Sequence, residues 1–286
     1  MNVKRVYPSG YCKGVIHAIE LAKQTRKQYP DQKVTILGMI VHNSHVTALL
    51  EQEDIITLDD TKASKEELLD QIEEGVVIFT AHGISDHIRQ KAVKKGLITI
   101  DATCEDVLKT RNIILNYLDQ GYDILYFGKK GHPEAEAIIS ISPKIHLVST
   151  SDDLKEAKIA NPKLVLTNQT TMSYLELNDL IIQAKTLYPN LVVLKEICNA
   201  TGSRQQAISQ IENADAIYIV GDVRSNNTNK LKEIAKLSGI PNVFMISDRS
   251  EIKKEDLNGL NDIYVSAGAS TPPELIDEVV NYLRSL

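Results

Sequence analysis

Cys12, Cys104 and Cys198 are the only cysteines of this 286-residue chain, and they recur at intervals of 92 and 94 residues (12 to 104, 104 to 198). Each follows a strand-like apolar run and precedes apolar residues at helical spacing: Val15, Ala18, Ile19 and Ala22; Val107, Ile114, Tyr117 and Leu118; Ala207, Ile208 and Ile211. A lone free cysteine is ordinarily a small buried apolar residue. Three at the same position of a repeated unit point instead to three thiolates at one place, each favoured by the helix N-terminus that follows it. Such a set suits zinc with water as fourth ligand, or a [4Fe–4S] cluster with one iron left without a protein ligand. Spacing alone does not choose between them. No CxxC pair is present, which argues against a small structural zinc module or a dithiol redox site.

A second group of residues closes the apolar runs. His42, His132 and Ser225 follow the second strand of each unit, and His82, Thr170 and Ser270 follow the fourth. Three histidines beside small or turn-forming residues, with Ser225, Asn227 and Ser270 from the third unit, read as donors around an anion, supported by helix N-termini suited to phosphate. His17, His45, His87 and His146 read as structural or solvated. Glu134, beside His132 in Gly131-His132-Pro133-Glu134, is a candidate proton donor. Thr170 and Thr171 are candidates to bond a substrate hydroxyl or to cap the next helix.

The elements that must position these residues repeat three times. The predicted second strands are Val34 to Ile40, Tyr122 to Phe127 and Ala216 to Val220. Third strands are expected near Ile55, Ile145 and Phe244, and fourth strands at Val76 to Thr80, Leu164 to Thr167 and Ile263 to Ser266. Fully apolar strands alternating with helices indicate α/β units with small parallel sheets covered on both faces. Ligands of such sheets bind beyond the carboxyl ends of the strands, where every polar cluster falls. The expected units are 1–97, 98–190 and 191–286. Thr103 with Asp106 and Ser203 with Gln206 carry capping-box patterns.

Composition narrows the function classes. Net charge is −6, which argues against a nucleic-acid face or attraction to an anionic membrane. Met1-Asn2-Val3-Lys4-Arg5 leads into no secretory apolar core. No run reaches the ~18 apolar residues of a membrane span. Three widely separated cysteines suit a reducing compartment, so a cytoplasmic protein is expected. There is no GxGxxG after a strand and no P-loop, so electrons for a cluster would come from another protein.

Nine ordered motifs together resemble the LytB-type family of 4-hydroxy-3-methylbut-2-enyl diphosphate reductases. They are Cys12-Lys13-Gly14-Val15, Val41-His42-Asn43, Ala81-His82-Gly83, Asp101-Ala102-Thr103-Cys104, Gly131-His132-Pro133-Glu134, Gln169-Thr170-Thr171, Ile197-Cys198-Asn199-Ala200-Thr201, Ser225-Asn226-Asn227 and Ser266-Ala267-Gly268-Ala269-Ser270. The resemblance covers essentially the whole chain. It implies a trefoil of three α/β domains around one [4Fe–4S] cluster, held by Cys12, Cys104 and Cys198 with the fourth iron open to substrate. It implies reductive removal of the C4 hydroxyl from an allylic diphosphate, giving isopentenyl and dimethylallyl diphosphate, the last step of the methylerythritol phosphate route. His42, His82, His132, Thr171, Ser225, Asn226, Asn227 and Ser270 match the family's substrate-binding positions, Glu134 its proton-delivery carboxylate, and Thr170 its partner near the hydroxyl. The electron donor would be a protein of the flavodoxin or ferredoxin type. His17, Glu105 and Asn226 stand where family members often carry Arg, Pro and Ser. The residues by themselves would also suit a quinolinate-synthase-like dehydratase, a cluster-bearing sensor or carrier, or a zinc hydrolase.

Overall fold

Short runs of consecutive apolar residues form the central strands of three parallel sheets in a computed structural model that describes residues 1–286. In chain order the elements are β1 (Asn2–Arg5), α1 (Lys13–Gln28), β2 (Val34–Leu37), α2 (Ser44–Glu51), β3 (Ile55–Leu58), α3 (Lys65–Asp70), β4 (Val76–Phe79), α4 (Asp86–Lys94) and β5 (Ile98–Asp101). They continue with α5 (Glu105–Asp119), β6 (Asp123–Phe127), α6 (Pro133–Ile139), β7 (Ile145–Val148), α7 (Ser151–Glu156), β8 (Leu164–Asn168), α8 (Tyr174–Leu187) and β9 (Val192–Val193). The remainder holds α9 (Asn199–Ser209), β10 (Ala216–Val220), α10 (Asn226–Leu237), β11 (Asn242–Ile246), β12 (Asp262–Ala267) and α11 (Pro273–Ser285), with two 3-10 turns at Arg249–Glu251 and Lys254–Leu257.

The three sheets share one strand order: β3-β2-β4-β5, β7-β6-β8-β9 and β11-β10-β12-β1. All pairings are parallel. Strands β2, β4, β8 and β10 are buried along their whole length, as a parallel strand covered on both faces must be. The expected third and fourth strands are all present, and the expected second strands end three residues early at Leu37 and begin one late at Asp123.

Strand pairing crosses the expected unit boundaries. β5 and β9 follow residues 97 and 190, yet they pair backward with β4 and β8. β1 pairs with β12, Asn2 opposite Asp262, and so fills in the third sheet the place that β5 and β9 fill in the others. Each cysteine therefore follows an outer strand: Cys12 after β1, Cys104 after β5, Cys198 after β9. The repeat closes on itself by borrowing the N-terminal strand for the last sheet.

The chain divides into two compact units. One comprises Met1–Val15, His42–Ala48 and Cys198–Leu286; the other comprises Ile16–Val41 and Leu49–Ile197. The first holds the β11-β10-β12-β1 sheet, against which α11 buries Ile276, Val279, Val280 and Leu283. Their spacing places all four on one helix face, and each contributes about 1.5–3 kcal/mol of gross burial energy. The second unit holds the other two sheets and three apolar clusters centred on Leu37 and Phe79, Leu125 and Leu166, and Ile124 and Tyr126. The two expected capping boxes are absent. Thr103 bonds Asp101 instead, and Ser203 lies inside α9 with its hydroxyl on the Asn199 carbonyl. Capping boxes occur at Ser64 with Glu67 and Thr150 with Asp153.

Candidate functional site

In the larger unit, Glu134, Thr170, His82, His132, Thr171 and Cys104 all lie beyond strand carboxyl ends. Glu134 is carried by α6, whose first residue is Pro133 and whose N-cap is His132. Proline suits this position because its missing N–H would have had no helical partner. His132 Nδ1 accepts the Glu134 N–H at 3.2 Å. Acceptance at Nδ1 leaves the proton of the neutral ring on Nε2, so His132 presents Nε2–H as a donor. The His82 ring meets His132 edge-on, with centroids 5.2 Å apart.

Glu134 is 1% exposed. Its Oε1 accepts the Thr170 N–H at 2.8 Å and its Oε2 accepts the Thr170 hydroxyl at 2.9 Å. The hydroxyl of Tyr126, on β6, lies 3.5 Å from Oε1. Burial pushes the carboxyl up to about 7; the Thr170 and Tyr126 hydrogen bonds oppose this, and the charge of Asp106 adds to it. A carboxyl in that range holds a proton near neutral pH and can release it, as a general acid must. Thr171 accepts from Gln169 Nε2 at 2.9 Å, and Gln169 Oε1 in turn accepts the Lys129 N–H at 2.9 Å, tying the segment after β8 to that after β6.

Cys104 is the N-cap of α5, with its N–H on the Ala81 carbonyl at 3.0 Å. Asp101, last residue of β5, sets the approach: its carboxylate accepts the Thr103 N–H at 3.1 Å and is held by Arg89 at 2.7 Å. Burial raises the Asp101 carboxyl, and Thr103 and Arg89 outweigh it, leaving it below the ordinary range. The Ala81-His82-Gly83 turn closes with Gly83 N–H on the Thr80 carbonyl at 3.1 Å, and Gly83 has φ +87°, which favours glycine.

The smaller unit carries Cys12, Cys198, His42, Ser225, Asn226, Asn227 and Ser270. Cys198 is the N-cap of α9; its Sγ accepts the Thr201 N–H at 3.4 Å and lies 3.2 Å from the Thr201 hydroxyl. That hydroxyl donates to Asn227 Oδ1 at 3.3 Å, linking the sulfur to α10. Asn227 Nδ2 is buried without a hydrogen-bond partner. Ser225 is the N-cap of α10, accepting the Thr228 N–H at 3.2 Å, and Asn226 and Asn227 are buried in the first turn. Ser270 donates to the His42 carbonyl at 3.1 Å, and the Cys12 N–H donates to the neighbouring Ala269 carbonyl at 3.1 Å. Asp222 accepts the Ser44 N–H at 3.0 Å, which fixes the chain just after His42.

The family model described as LytB protein matches residues 3–284. This chain belongs to the LytB family. It is 45% identical over 288 residues to the 4-hydroxy-3-methylbut-2-enyl diphosphate reductase of Bacillus subtilis, covering 99% of this chain and 91% of that one. To the reductase of the same name in Geobacillus thermodenitrificans it is 44% identical, covering 99% and 90%. Its structure is similar to that of the E-1-hydroxy-2-methyl-but-2-enyl-4-diphosphate reductase of Plasmodium falciparum, with TM-score 0.91, 30% identity, and 99% and 87% of the two chains covered. A second solved structure, described as (E)-4-hydroxy-3-methyl-but-2-enyl diphosphate reductase, the terminal enzyme of the non-mevalonate pathway, gives TM-score 0.69 at 28% identity with both chains covered in full.

The donor set of this LytB chain fits a thiolate-ligated group. None of the three cysteines is in a disulfide and all are partly exposed, and Cys104 and Cys198 are N-caps, where helix N–H groups favour a thiolate. Three residues of the surroundings escaped the sequence reading. Tyr126 reads as an ordinary strand residue, and Thr201 as one more position of the segment after Cys198. Arg204 offers the clearest signal, since it stands four residues before Ile208 and hence on the apolar face of its helix.

Proposed function

We propose that this chain reduces 4-hydroxy-3-methylbut-2-enyl diphosphate to isopentenyl and dimethylallyl diphosphate, the last step of the methylerythritol phosphate route. The observation that carries the reading is Glu134, a fully enclosed carboxyl clasped at both oxygens by Thr170 and held near neutrality, in a chain of the LytB family. The reaction consumes two electrons and two protons, and the C4 hydroxyl leaves as water. Cys12, Cys104 and Cys198 would hold a [4Fe–4S] cluster with one iron lacking a protein ligand, a group that supplies single electrons and Lewis acidity when bound.

In this reading the chain's own residues bind, orient and protonate. His42, His82, His132, Thr171, Ser225, Asn226, Asn227 and Ser270 take the diphosphate. The buried Nδ2 of Asn227 and the N-terminus of the 12-residue α10 are suited to an anion, and His132 adds a neutral Nε2–H donor. Binding the remote diphosphate lets that energy orient the reacting end. Glu134 gives a proton to the departing oxygen, so that water rather than hydroxide leaves, and Thr170 aligns the carboxyl and meets the substrate hydroxyl. A proton taken at either end of the resulting allylic system accounts for two products.

The reading includes a cytoplasmic location and an external electron-donor protein of the flavodoxin or ferredoxin type, with no nucleic-acid or membrane partner. No helix is long and apolar enough to cross a membrane, and the chain carries net charge −6. Glu134→Gln tests the acid role. Turnover is expected to fall by about 10²–10⁴-fold, the ordinary worth of a general acid, with the visible and EPR spectra of the loaded protein unchanged. Near-normal turnover removes Glu134 from the mechanism.

A further inference from the structure

Arg204, on α9, is 4% exposed and no carboxylate pairs with it. Its Nη1 donates to the Ala200 carbonyl at 2.7 Å and its Nη2 to the Gly10 carbonyl at 2.5 Å. Its Nε is buried with no hydrogen-bond partner. Ala200 lies two residues after Cys198 and Gly10 two residues before Cys12, so one guanidinium fork fastens both cysteine-bearing segments of this unit. Gly10 has φ +81°, and a Cβ there would lie 2.9 Å from Ile276 Cδ1, so the carbonyl that Arg204 grips belongs to a tightly constrained turn.

A buried cation without a counter-charge is strongly disfavoured, and guanidinium does not escape by losing its proton. Burial works against the Arg204 charge; Cys12 and Cys198 act in its favour. The fold therefore maintains a positive charge and a spare N–H beside two sulfurs and supplies no protein anion to balance them. A group bound through thiolates is anionic and grows more so with each electron it accepts, so a fixed buried cation beside it favours the reduced form.

We propose that Arg204 is the counter-cation of the cysteine-bound cluster: it positions the Cys12 and Cys198 segments and raises the potential at which the cluster is reduced. This rests on the cluster reading given above. Arg204 is a positioning residue, touching carbonyls beside the cysteines rather than substrate.

The test uses the full chain, purified without oxygen and loaded with iron and sulfide, as wild type, Arg204→Lys and Arg204→Gln. Iron and sulfide per chain are counted, and the midpoint potential is read by dithionite titration followed by EPR. The lysine variant keeps the charge, whereas the glutamine variant keeps only hydrogen-bonding capacity. The expected result is a clear shift to more negative potential in Arg204→Gln, with Arg204→Lys close to wild type. Loss of the cluster from Arg204→Gln alone also supports the proposal. Equal potentials in all three proteins, or a lysine variant whose potential follows that of the glutamine variant, overturns it. A folded wild-type chain that takes up no iron and sulfide removes the cluster reading itself, a result distinct from any difference among variants.

Discussion

Replacing Thr170 with Val removes one of the three donors that face Glu134 while keeping the shape of a side chain that is 4% exposed. The hydroxyl lies 2.9 Å from Oε2; the backbone N–H at 2.8 Å and the Tyr126 hydroxyl at 3.5 Å remain on Oε1. A hydrogen bond to a charged group contributes about 1.5–3 kcal/mol. At about 1.4 kcal/mol per pKa unit, its loss moves the carboxyl up by roughly one to two units. The sign follows from which form is bonded: all three donors favour the carboxylate, so removing one favours the acid. Starting from about 7, the apparent value in Thr170→Val rises to roughly 8–9. Because the proton donor must be protonated, kcat/KM falls on the alkaline side, and that limb moves upward with the carboxyl. Tyr126→Phe serves as an internal calibration. Its bond is the longest of the three and near the limit of useful geometry, so its limb moves the same way by less than about one unit. The assay is kcat/KM against pH from about 5 to about 10 with a chemical reductant in excess. An unmoved limb, a limb displaced toward acid, or a larger shift in Tyr126→Phe than in Thr170→Val refutes the reasoning.

Two further outcomes concern stability. The Glu134 carboxyl titrates higher in the folded chain than in the unfolded one, so its contribution is complete below about 4.5 and is lost as pH rises through about 7. Glu134→Gln therefore gains on wild type between pH ~5 and pH ~8 by on the order of 3 kcal/mol, read from urea unfolding at several pH values; a difference constant with pH contradicts this. Gly75 has φ +92°, and a Cβ there would lie 2.4 Å from the Lys33 carbonyl oxygen, whereas Gly96 has φ +76° and open space. Gly75→Ala should cost about 2–5 kcal/mol and Gly96→Ala only about 1–2 kcal/mol, and equal costs in urea unfolding would show that the close approach at Gly75 is unimportant.

The central strands are legible in the sequence because a strand covered on both faces must be apolar throughout, as in Val76-Val77-Ile78-Phe79. The outer strands are a different matter. β9 is two residues long, and β1 holds a single apolar residue, Val3; their sheet membership is set by partners elsewhere in the chain, for β1 some 260 residues away. That is why the expected boundaries at 97 and 190 cut ahead of β5 and β9. The helix caps differ from the expected ones for a local reason. Thr103 and Ser203 have the right type for an N-cap, but nearer acceptors, the Asp101 carboxylate and the Asn199 carbonyl, take their hydroxyls, and cysteines occupy the cap positions. Among the site residues, Glu134 and Thr170 stand out as polar residues at strand ends, but the 36-residue separation hides that one clasps the other. Tyr126 and Arg204 escaped notice because a buried polar group on an apolar face has no local signature until its partners are known.

Turnover of 4-hydroxy-3-methylbut-2-enyl diphosphate by the chain purified without oxygen, with iron and sulfide counted on the same sample, tests the central claim most directly. The account predicts about four irons and about four sulfides per chain and conversion to both isopentenyl and dimethylallyl diphosphate when a chemical reductant is supplied. A folded, iron-loaded chain that leaves the diphosphate unchanged contradicts it.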